Sequence, residues 1–188
     1  MQKRFLLAAA ALVSTTAFSA TETFVIDNAH TFPRFEHNHL GYSNQVSRFD
    51  KTSGRITLDR AAGTGSVDVV IDAKSVDTGF PLFNEHIQGE DYFYTAKFPT
   101  ITFKSSSMKF DGDKLVSVNG DLTIKGVTKP VTLTVTSFHC MPHPMLKKDA
   151  CGANATTKIK RSEFNAGKSA PYVSDEVTLT IPVEAIKE

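Results

Sequence analysis

Histidine and cysteine are the side chains of this sequence best suited to metal or redox chemistry, and the chain carries six and two of them. His37 and His39 are separated by one residue, so on a β-strand both imidazoles project from the same face as Phe35. Two imidazoles on one face make half of a copper or zinc site, which needs three or four ligands, and His143 is a candidate third. In the alternative interpretation, one of His37 and His39 is a hydrogen-bonded residue of the core or of a pocket, and the other has no functional role. The residues alone leave both interpretations open.

A second group of soft ligands lies in the segment Phe138–Met145, which carries Cys140 and two Met side chains in addition to His143. Such ligands suit copper, and the proline residues indicate a loop. Cys151 follows shortly afterwards, and in an oxidising compartment a close, even pair of cysteines favours a disulfide over a metal or redox pair. A disulfide would leave no thiolate for a metal.

Motifs of common enzyme classes are missing from the sequence. It contains no G-x-S-x-G, no H-E-x-x-H and no phosphate-binding P-loop. Gly63-Thr64-Gly65 begins like a dinucleotide-binding motif, but no third glycine and no βαβ pattern follow, so we expect a turn between strands. No catalytic residue and no cofactor is therefore predicted.

Phenylalanine dominates the aromatic residues, with 14 Phe against no Trp. Six of them crowd around one short segment of the chain: Phe80, Phe83, Phe93, Phe98, Phe103 and Phe110. Core packing is the usual role of such a cluster. The wall of a channel for a long apolar ligand is the functional alternative, and the sequence does not decide between the two.

Short runs of alternating apolar and polar residues, separated by turn residues, predict about ten antiparallel strands. The predicted strands are Thr23–Asp27, Arg34–Leu40, Gln45–Lys51, Gly54–Asp59, Gly65–Ile71, Thr100–Lys104, Met108–Phe110, Leu115–Leu122, Val131–His139, Ala153–Lys160 and Val177–Pro182. One stretch, Pro81–Gln88, has the spacing of a helix and a proline suited to its first turn. The pattern indicates a single all-β barrel or sandwich with one helical insertion, and a barrel removes the exposed edges.

The first 20 residues predict a cleaved signal peptide, with Lys3 and Arg4 before an apolar run and small residues near a cleavage site at Ser19 or Ala20. The apolar run is too short to span a bilayer, so we expect an exported protein without stable membrane insertion, whose single domain covers residues 21–188. Without Lys3 and Arg4, 19 basic and 20 acidic side chains remain. This balance argues against nucleic acid as a partner.

Five ordered motifs resemble the YceI-like family of exported, lipocalin-like proteins implicated in binding polyisoprenoids or other long-chain lipids. The motifs are Phe24–Thr31 with Phe35, His39 and Gly41; Ser75–Gly79 with Asn84–Ile87 and Glu90–Phe93; Lys97–Lys104; Gly120–Pro130; and Ile159–Phe164 with Ser174–Val177. The resemblance covers essentially the whole chain after the leader. It implies an extended antiparallel barrel around an elongated apolar cavity, located in the periplasm, and it favours the disulfide between Cys140 and Cys151. A homodimer is compatible with it.

The resemblance also implies ligand-binding residues. The apolar candidates for the cavity wall are Phe35, Phe83, Ile87, Phe93, Phe98, Phe103 and Leu122. The candidates for the polar part of the site are His39, Asp77, Asn84, His86 and Arg161. His37 stands where the family pattern has a small or apolar residue, a change that admits a polar head group or narrows the pocket. The predicted function is a carrier of an isoprenoid or similar amphiphile, with metal handling as the alternative, and an enzyme using His39 as acid or base as a third hypothesis.

Overall fold

The structure, a computed structural model, describes residues 20–188. The predicted signal peptide lies outside the described residues except for Ala20. Within residues 20–188, no helix is long and apolar enough to cross a membrane.

Eleven strands and one α-helix make up the described chain, with a 3₁₀ turn at Ala73–Ser75 and another at Arg161–Phe164. In chain order the elements are β1 (Glu22–Ile26), β2 (Arg34–His39), β3 (Ser43–Phe49), β4 (Thr52–Asp59), β5 (Thr64–Asp72), β6 (Val76–Asp77), α1 (Pro81–Ile87), β7 (Thr100–Asp111), β8 (Lys114–Ile124), β9 (Val127–Pro142), β10 (Asp149–Lys160) and β11 (Glu176–Lys187).

The strands form one closed antiparallel barrel. β1 and β2 lie end to end along the same edge of β11, with Ile26 opposite Ala185 and Phe35 opposite Leu179. β3 and β4 also lie end to end, and so do β5 and β6. With each of these three pairs counted as one strand, the eleven strands form an eight-stranded barrel. The pairing of β1 with β11 closes the sheet. The predicted single all-β antiparallel barrel with one helical insertion is confirmed.

β11 shows why this sequence forms a barrel with an apolar interior. Every second residue from Val177 to Ala185 is apolar and faces the cavity inside the barrel. The residues between them include Thr178, Thr180 and Glu184, which point outward. Because side chains alternate across a strand, this pattern fixes which face is inside, and a slip by one residue would turn every apolar side chain to solvent.

One predicted boundary is wrong. Thr100–Lys104 and Met108–Phe110 are not two strands but parts of the single strand β7, and the serine run between them forms a bulge where the register against β8 shifts. The Ser105 hydroxyl donates to the carbonyl oxygen of Asn119 and accepts from the amide of Ser107, at 3.0 Å. The hydroxyl thus forms hydrogen bonds with backbone groups that lose their strand partners at the bulge, and the strand continues past it.

The two ends of the barrel differ. Near the β9–β10 hairpin, Cys140 and Cys151 are direct partners on neighbouring strands and form the disulfide that the sequence favours. Apolar side chains pack around Cys151 at this end, among them Phe24 and Leu58. At the opposite end lie α1, the segment that follows it, and the loop between β10 and β11.

We predict that replacing both Cys140 and Cys151 with serine lowers the free energy of unfolding by about 3 kcal/mol, because the bond closes a short loop and restricts the unfolded chain. Urea denaturation of the oxidised protein and the double variant measures the difference. Wild-type protein reduced before unfolding serves as the control and should match the variant. Equal midpoints for oxidised and reduced protein would show that the disulfide does not stabilise the fold.

Candidate functional site

The barrel encloses a cavity of about 580 Å³. Its wall is built from inward positions of all the strands except β6, such as Ile101 and Phe103 on β7 and Leu122 on β8. Small side chains on β10, Ala153 and Ala155, leave room in the middle. Natural ligand pockets have volumes of roughly 300–1,000 Å³, so the cavity is large enough for one elongated small molecule.

The mouth of the cavity is at the end covered by α1. Arg34 is exposed because its side chain alternates with that of Phe35 and points outward. The other solvent-exposed wall residues lie at this end: His39 on β2, His86 on α1 and Ser169 in the loop between β10 and β11. By contrast Phe24, Leu58 and Ala185, which line the cavity towards the disulfide, are at most 2% exposed. The cavity therefore runs along the barrel axis and opens at one end.

Aromatic side chains line the cavity just inside the mouth. Phe35 of β2, Phe49 of β3 and Phe93 form a triangle with ring centroids 5.4 to 5.7 Å apart. Phe93 belongs to the segment after α1, and its amide donates to the carbonyl oxygen of Ile87. Such edge-to-face contacts fix ring orientation. This segment therefore presents a defined apolar surface to a ligand.

Two cations hold the segments around the mouth in place. Lys125, in the turn between β8 and β9, donates to the carbonyl oxygens of Glu90 and Asn165, both at 2.6 Å. It thereby joins the segment after α1 to the β10–β11 loop. The guanidinium of Arg161 donates to four carbonyl oxygens of that loop, at 2.7 to 3.2 Å. These acceptors belong to Ala166, Lys168, Val173 and Ser174.

Arg161 and His37 are the polar side chains of the wall that lie furthest from solvent at the mouth. Burial lowers the pKa of Arg161, although Asp175 and Tyr92 oppose this shift by their charge. His37 is 8% exposed, and burial together with the charge of Arg161 and then of His39 lowers its pKa, so its ring is neutral at pH 7. The Thr52 hydroxyl is also buried. It lines the cavity and has no hydrogen-bond partner among the described residues.

Most of the predicted ligand-binding residues line this cavity. Those on the wall are Phe35, His39, Phe83, His86, Ile87, Phe93, Phe103, Leu122 and Arg161. They come from six different parts of the chain, which the barrel and its covering segments bring together. The position of these side chains fits a binding role, and the role itself stays a prediction.

Three candidates do not line the cavity: Phe98, which was predicted for the wall, and Asp77 and Asn84, which were predicted for the polar part of the site. The side-chain oxygen of Asn84 accepts hydrogen bonds from the amide and hydroxyl of Thr78, both 2.7 Å, and its amide nitrogen donates to Asp77 at 3.4 Å. These bonds attach α1 to the end of β6. Phe98 packs against Gly126 in the β8–β9 turn, where a Cβ would lie 2.7 Å from its ring, and edge-on to Tyr94. All three position the segments at the mouth without reaching the cavity.

Other wall residues were missed by the sequence analysis. They include Met108, Phe138, Phe164 and the five alternating apolar residues of β11. The period-two pattern of β11 was a usable signal, since it marks one face as inward. His37 was considered as a metal ligand and as an exception to the family pattern, but not as part of the lipid site, and it lies on the wall beside Phe35 and His39.

The three histidines proposed as metal ligands do not come together. His37 and His39 are at the mouth, whereas His143 is in the β9–β10 hairpin at the opposite end of β11. The Nδ1 of His143 accepts from the amides of Met145 and Leu146 at 3.2 Å, so this ring organises the hairpin.

A different group of candidate ligands lies near this hairpin. Asp27, His30 and Glu184 bring one ligand atom each within 4.8 Å of one another, and the Nδ1 of His30 is 2.7 Å from Asp27. His30 and Glu184 are exposed. The hydrogen bonds of a turn at Asp27, to Ala29 and His30, account for this arrangement.

Comparison with known sequences defines the family of this chain. The YceI-like domain family matches residues 24–185. The chain belongs to the YceI-like family. The YceI protein of Escherichia coli O157:H7 is 37% identical over 192 aligned residues, covering 100% of both chains. The YceI protein of Salmonella arizonae is 36% identical, covering 95% of this chain and 94% of its own.

Solved structures of YceI-like proteins have the same barrel. Burkholderia cenocepacia BcnA is 28% identical with a TM-score of 0.73, covering 85% of this chain and 98% of its own. A YceI protein of Campylobacter jejuni is 32% identical with a TM-score of 0.69, covering 80% and 90%. A polyisoprenoid binding domain from Saccharophagus degradans shares the fold at 20% identity, with a TM-score of 0.65, covering 88% and 98%.

We predict that Arg161→Ala loosens the mouth of this YceI-like barrel without unfolding it. The loop amide of Ser174, which donates to Asn38, should exchange with solvent roughly ten- to a hundredfold faster, because the loop loses four charge-assisted hydrogen bonds. Amide hydrogen exchange measures this, and the β10–β11 ladder provides the internal reference. Lys160→Ala removes an exposed neighbouring cation and should leave the loop unchanged. Equal exchange in both variants would contradict the role assigned to Arg161.

Proposed function

We propose that this protein binds and carries a long-chain lipid, an isoprenoid or a similar amphiphile, in the barrel cavity. The observation that carries the proposal is an axial cavity of about 580 Å³ whose wall below the mouth is almost entirely apolar. Burial of each methylene contributes roughly 0.8 kcal/mol, so ten of them contribute on the order of 8 kcal/mol before the cost of ordering the chain. Affinity of this kind needs no catalytic group.

The form of the cavity supports an elongated ligand with one polar end. Apolar side chains at the disulfide end suit the terminus of a hydrocarbon chain, and hydrogen-bonding groups appear at the mouth, where His39 and Arg161 lie. An amphiphile would therefore enter tail first. The Saccharophagus degradans domain, described as polyisoprenoid binding, has a barrel of the same fold. This likeness supports the proposal at the level of fold.

Export to the periplasm is part of the proposal. Two features support it: the leader pattern of residues 1–20 and the disulfide between Cys140 and Cys151, a bond typical of oxidising compartments. In the periplasm a carrier would shield an apolar chain from water as the lipid moves between sites.

We expect protein purified from the periplasm without detergent to carry a lipid. Native mass spectrometry should show a mass above that of the mature chain, and organic extraction should release one class of long-chain compound. Protein of bare mass that still binds no added lipid would contradict the proposal.

A cavity-filling variant tests where the lipid lies. Ala155→Phe adds a ring at an inward position in the middle of β10, so we expect it to lower lipid occupancy several-fold, or to select shorter chains. The overpacking should cost about 1–3 kcal/mol of stability, which thermal unfolding measures. Asn154→Phe is the matched control, because it places the same ring one residue earlier on the exposed face of the same strand. Full lipid occupancy in the folded Ala155→Phe protein would place the ligand outside the barrel.

A further inference from the structure

A group of metal-ligating side chains lies on the outer surface of the barrel. Asp27, His30 and Glu184 each place one ligand atom within 4.8 Å of the other two. None of the three lines the cavity. Two of them belong to the turn that follows β1, and the third belongs to β11, which runs beside the interruption between β1 and β2. The group therefore connects two elements that are far apart in the sequence.

Hydrogen bonds hold the backbone of this group in place without a metal. The Asp27 amide donates to the carbonyl oxygen of Glu184 at 2.9 Å. The Thr31 hydroxyl donates to the same carbonyl oxygen at 3.2 Å and accepts from the Glu184 amide at 3.1 Å. The Ala29 amide donates to Oδ1 of Asp27 at 2.9 Å, which leaves Oδ2 to contact His30. A group that is already ordered loses less entropy when it binds an ion.

The carboxylate of Glu184 takes no part in these bonds. Within residues 20–188 it accepts no hydrogen bond and forms no ion pair, although the backbone of Glu184 is bonded to both Asp27 and Thr31. The side chain nevertheless places an oxygen within 4.8 Å of the Asp27–His30 pair. One carboxylate of the group is therefore free to bind an ion.

One imidazole nitrogen and two carboxylate oxygens suit a divalent transition-metal ion. Zn²⁺ binds both kinds of atom at about 2.0–2.2 Å, and in open sites it has three protein ligands and one water. A tetrahedral ion with such bonds separates its ligand atoms by roughly 3.3–3.6 Å. The Nδ1 of His30 and Oδ2 of Asp27 lie 2.7 Å apart, so they must separate by less than about 1 Å. The His30 side chain is 61% exposed and has room for this movement.

His143 of the neighbouring hairpin does not supply a fourth ligand. Its Nδ1 accepts from two backbone amides, so the neutral ring carries its hydrogen on Nε2, and neither nitrogen has a free lone pair. His30 and Glu184 are exposed, so solvent reaches the group. The fourth position is therefore open to water.

From this geometry we propose that Asp27, His30 and Glu184 bind a divalent transition-metal ion such as Zn²⁺ on the outer surface of the barrel. The ion takes the position of the proton between Nδ1 of His30 and Oδ2 of Asp27, and this proton leaves to the solvent. Glu184 supplies the third ligand and water the fourth. Because the ligands join the turn after β1 to β11, the bound ion stabilises the barrel at the interruption between β1 and β2.

Titration of Zn²⁺ into the mature protein without an affinity tag tests the proposal. Calorimetry should show one ion per chain. The midpoint of thermal unfolding should rise on addition of Zn²⁺, because an ion that binds the folded protein stabilises it. Mg²⁺ at the same concentration should produce neither effect, since it prefers oxygen ligands in octahedral geometry.

Variants assign the ion to these residues. His30→Gln and Glu184→Gln each remove one ligand and should weaken Zn²⁺ binding about tenfold or more, since loss of even an outer-shell partner of a metal ligand costs about 10–100-fold. Glu184→Gln should leave the unfolding midpoint of the metal-free protein unchanged, because its carboxylate has no partner among residues 20–188. His139→Gln and Glu163→Gln are the matched controls. They remove an exposed histidine and an exposed glutamate outside the group and should bind Zn²⁺ like the wild type.

The possible results decide the proposal independently of lipid binding. Wild-type protein that binds no Zn²⁺ would overturn the site. Full affinity in either His30→Gln or Glu184→Gln would also overturn it, because other residues would then bind the ion. Equal weakening in the two control variants would have the same meaning. The lipid cavity shares no residue with this group, so none of these results tests the proposed function.

Discussion

The closure of the sheet at β11 is the constraint on which the rest of the molecule depends. One edge of β11 pairs with β10 over its whole length, and the other edge is shared by β1 and β2. Because strand register fixes which side chains face inward, the pairing of Ile26 with Ala185 and of Phe35 with Leu179 sets the apolar lining at both ends at once. The interruption between β1 and β2 lets one edge follow the curvature of the barrel. A cavity with a continuous wall results, instead of a sandwich with two open sides.

The two ends of this barrel are stabilised by different interactions. The disulfide end is held by the strand ladder and a covalent bond between neighbouring strands. The mouth is held by side chains that bind backbone groups: Lys125 and Arg161 donate to carbonyl oxygens, and the side-chain oxygen of Asn84 accepts from the amide of Thr78. Side-chain bonds of loops open at a lower free energy than the bonds of a central ladder. Local opening of α1 or of the β10–β11 loop therefore costs less free energy than opening of the barrel itself.

The barrel was predictable because its signal repeats along the whole chain. Alternation in strands such as β11 and the helical spacing of Pro81–Gln88, where α1 lies, each agree locally with the fold. The serine run in β7 was misinterpreted because three polar residues resemble a turn, and the pattern does not show that Ser105 would satisfy the bulge.

The site was harder to predict than the fold. A motif shows that certain residues belong together but not what each contacts. Asp77, Asn84 and Phe98 lie in the same motifs as true wall residues, yet they fasten α1 and the segment after it. The burial of His37 beside Arg161 depends on three-dimensional packing and cannot be predicted from residue spacing.

The apolar wall and the polar mouth contribute different properties to recognition. Apolar burial is non-directional and increases with buried area, so the wall alone favours any chain of suitable length and width. Discrimination between ligands requires groups whose desolvation must be compensated by one partner and not by another. In this barrel such groups are concentrated at the mouth, at Arg161 and His37. Because substitutions there leave the closing register of β11 unchanged, the polar groups of the mouth can differ between proteins that share this barrel without changing its apolar wall.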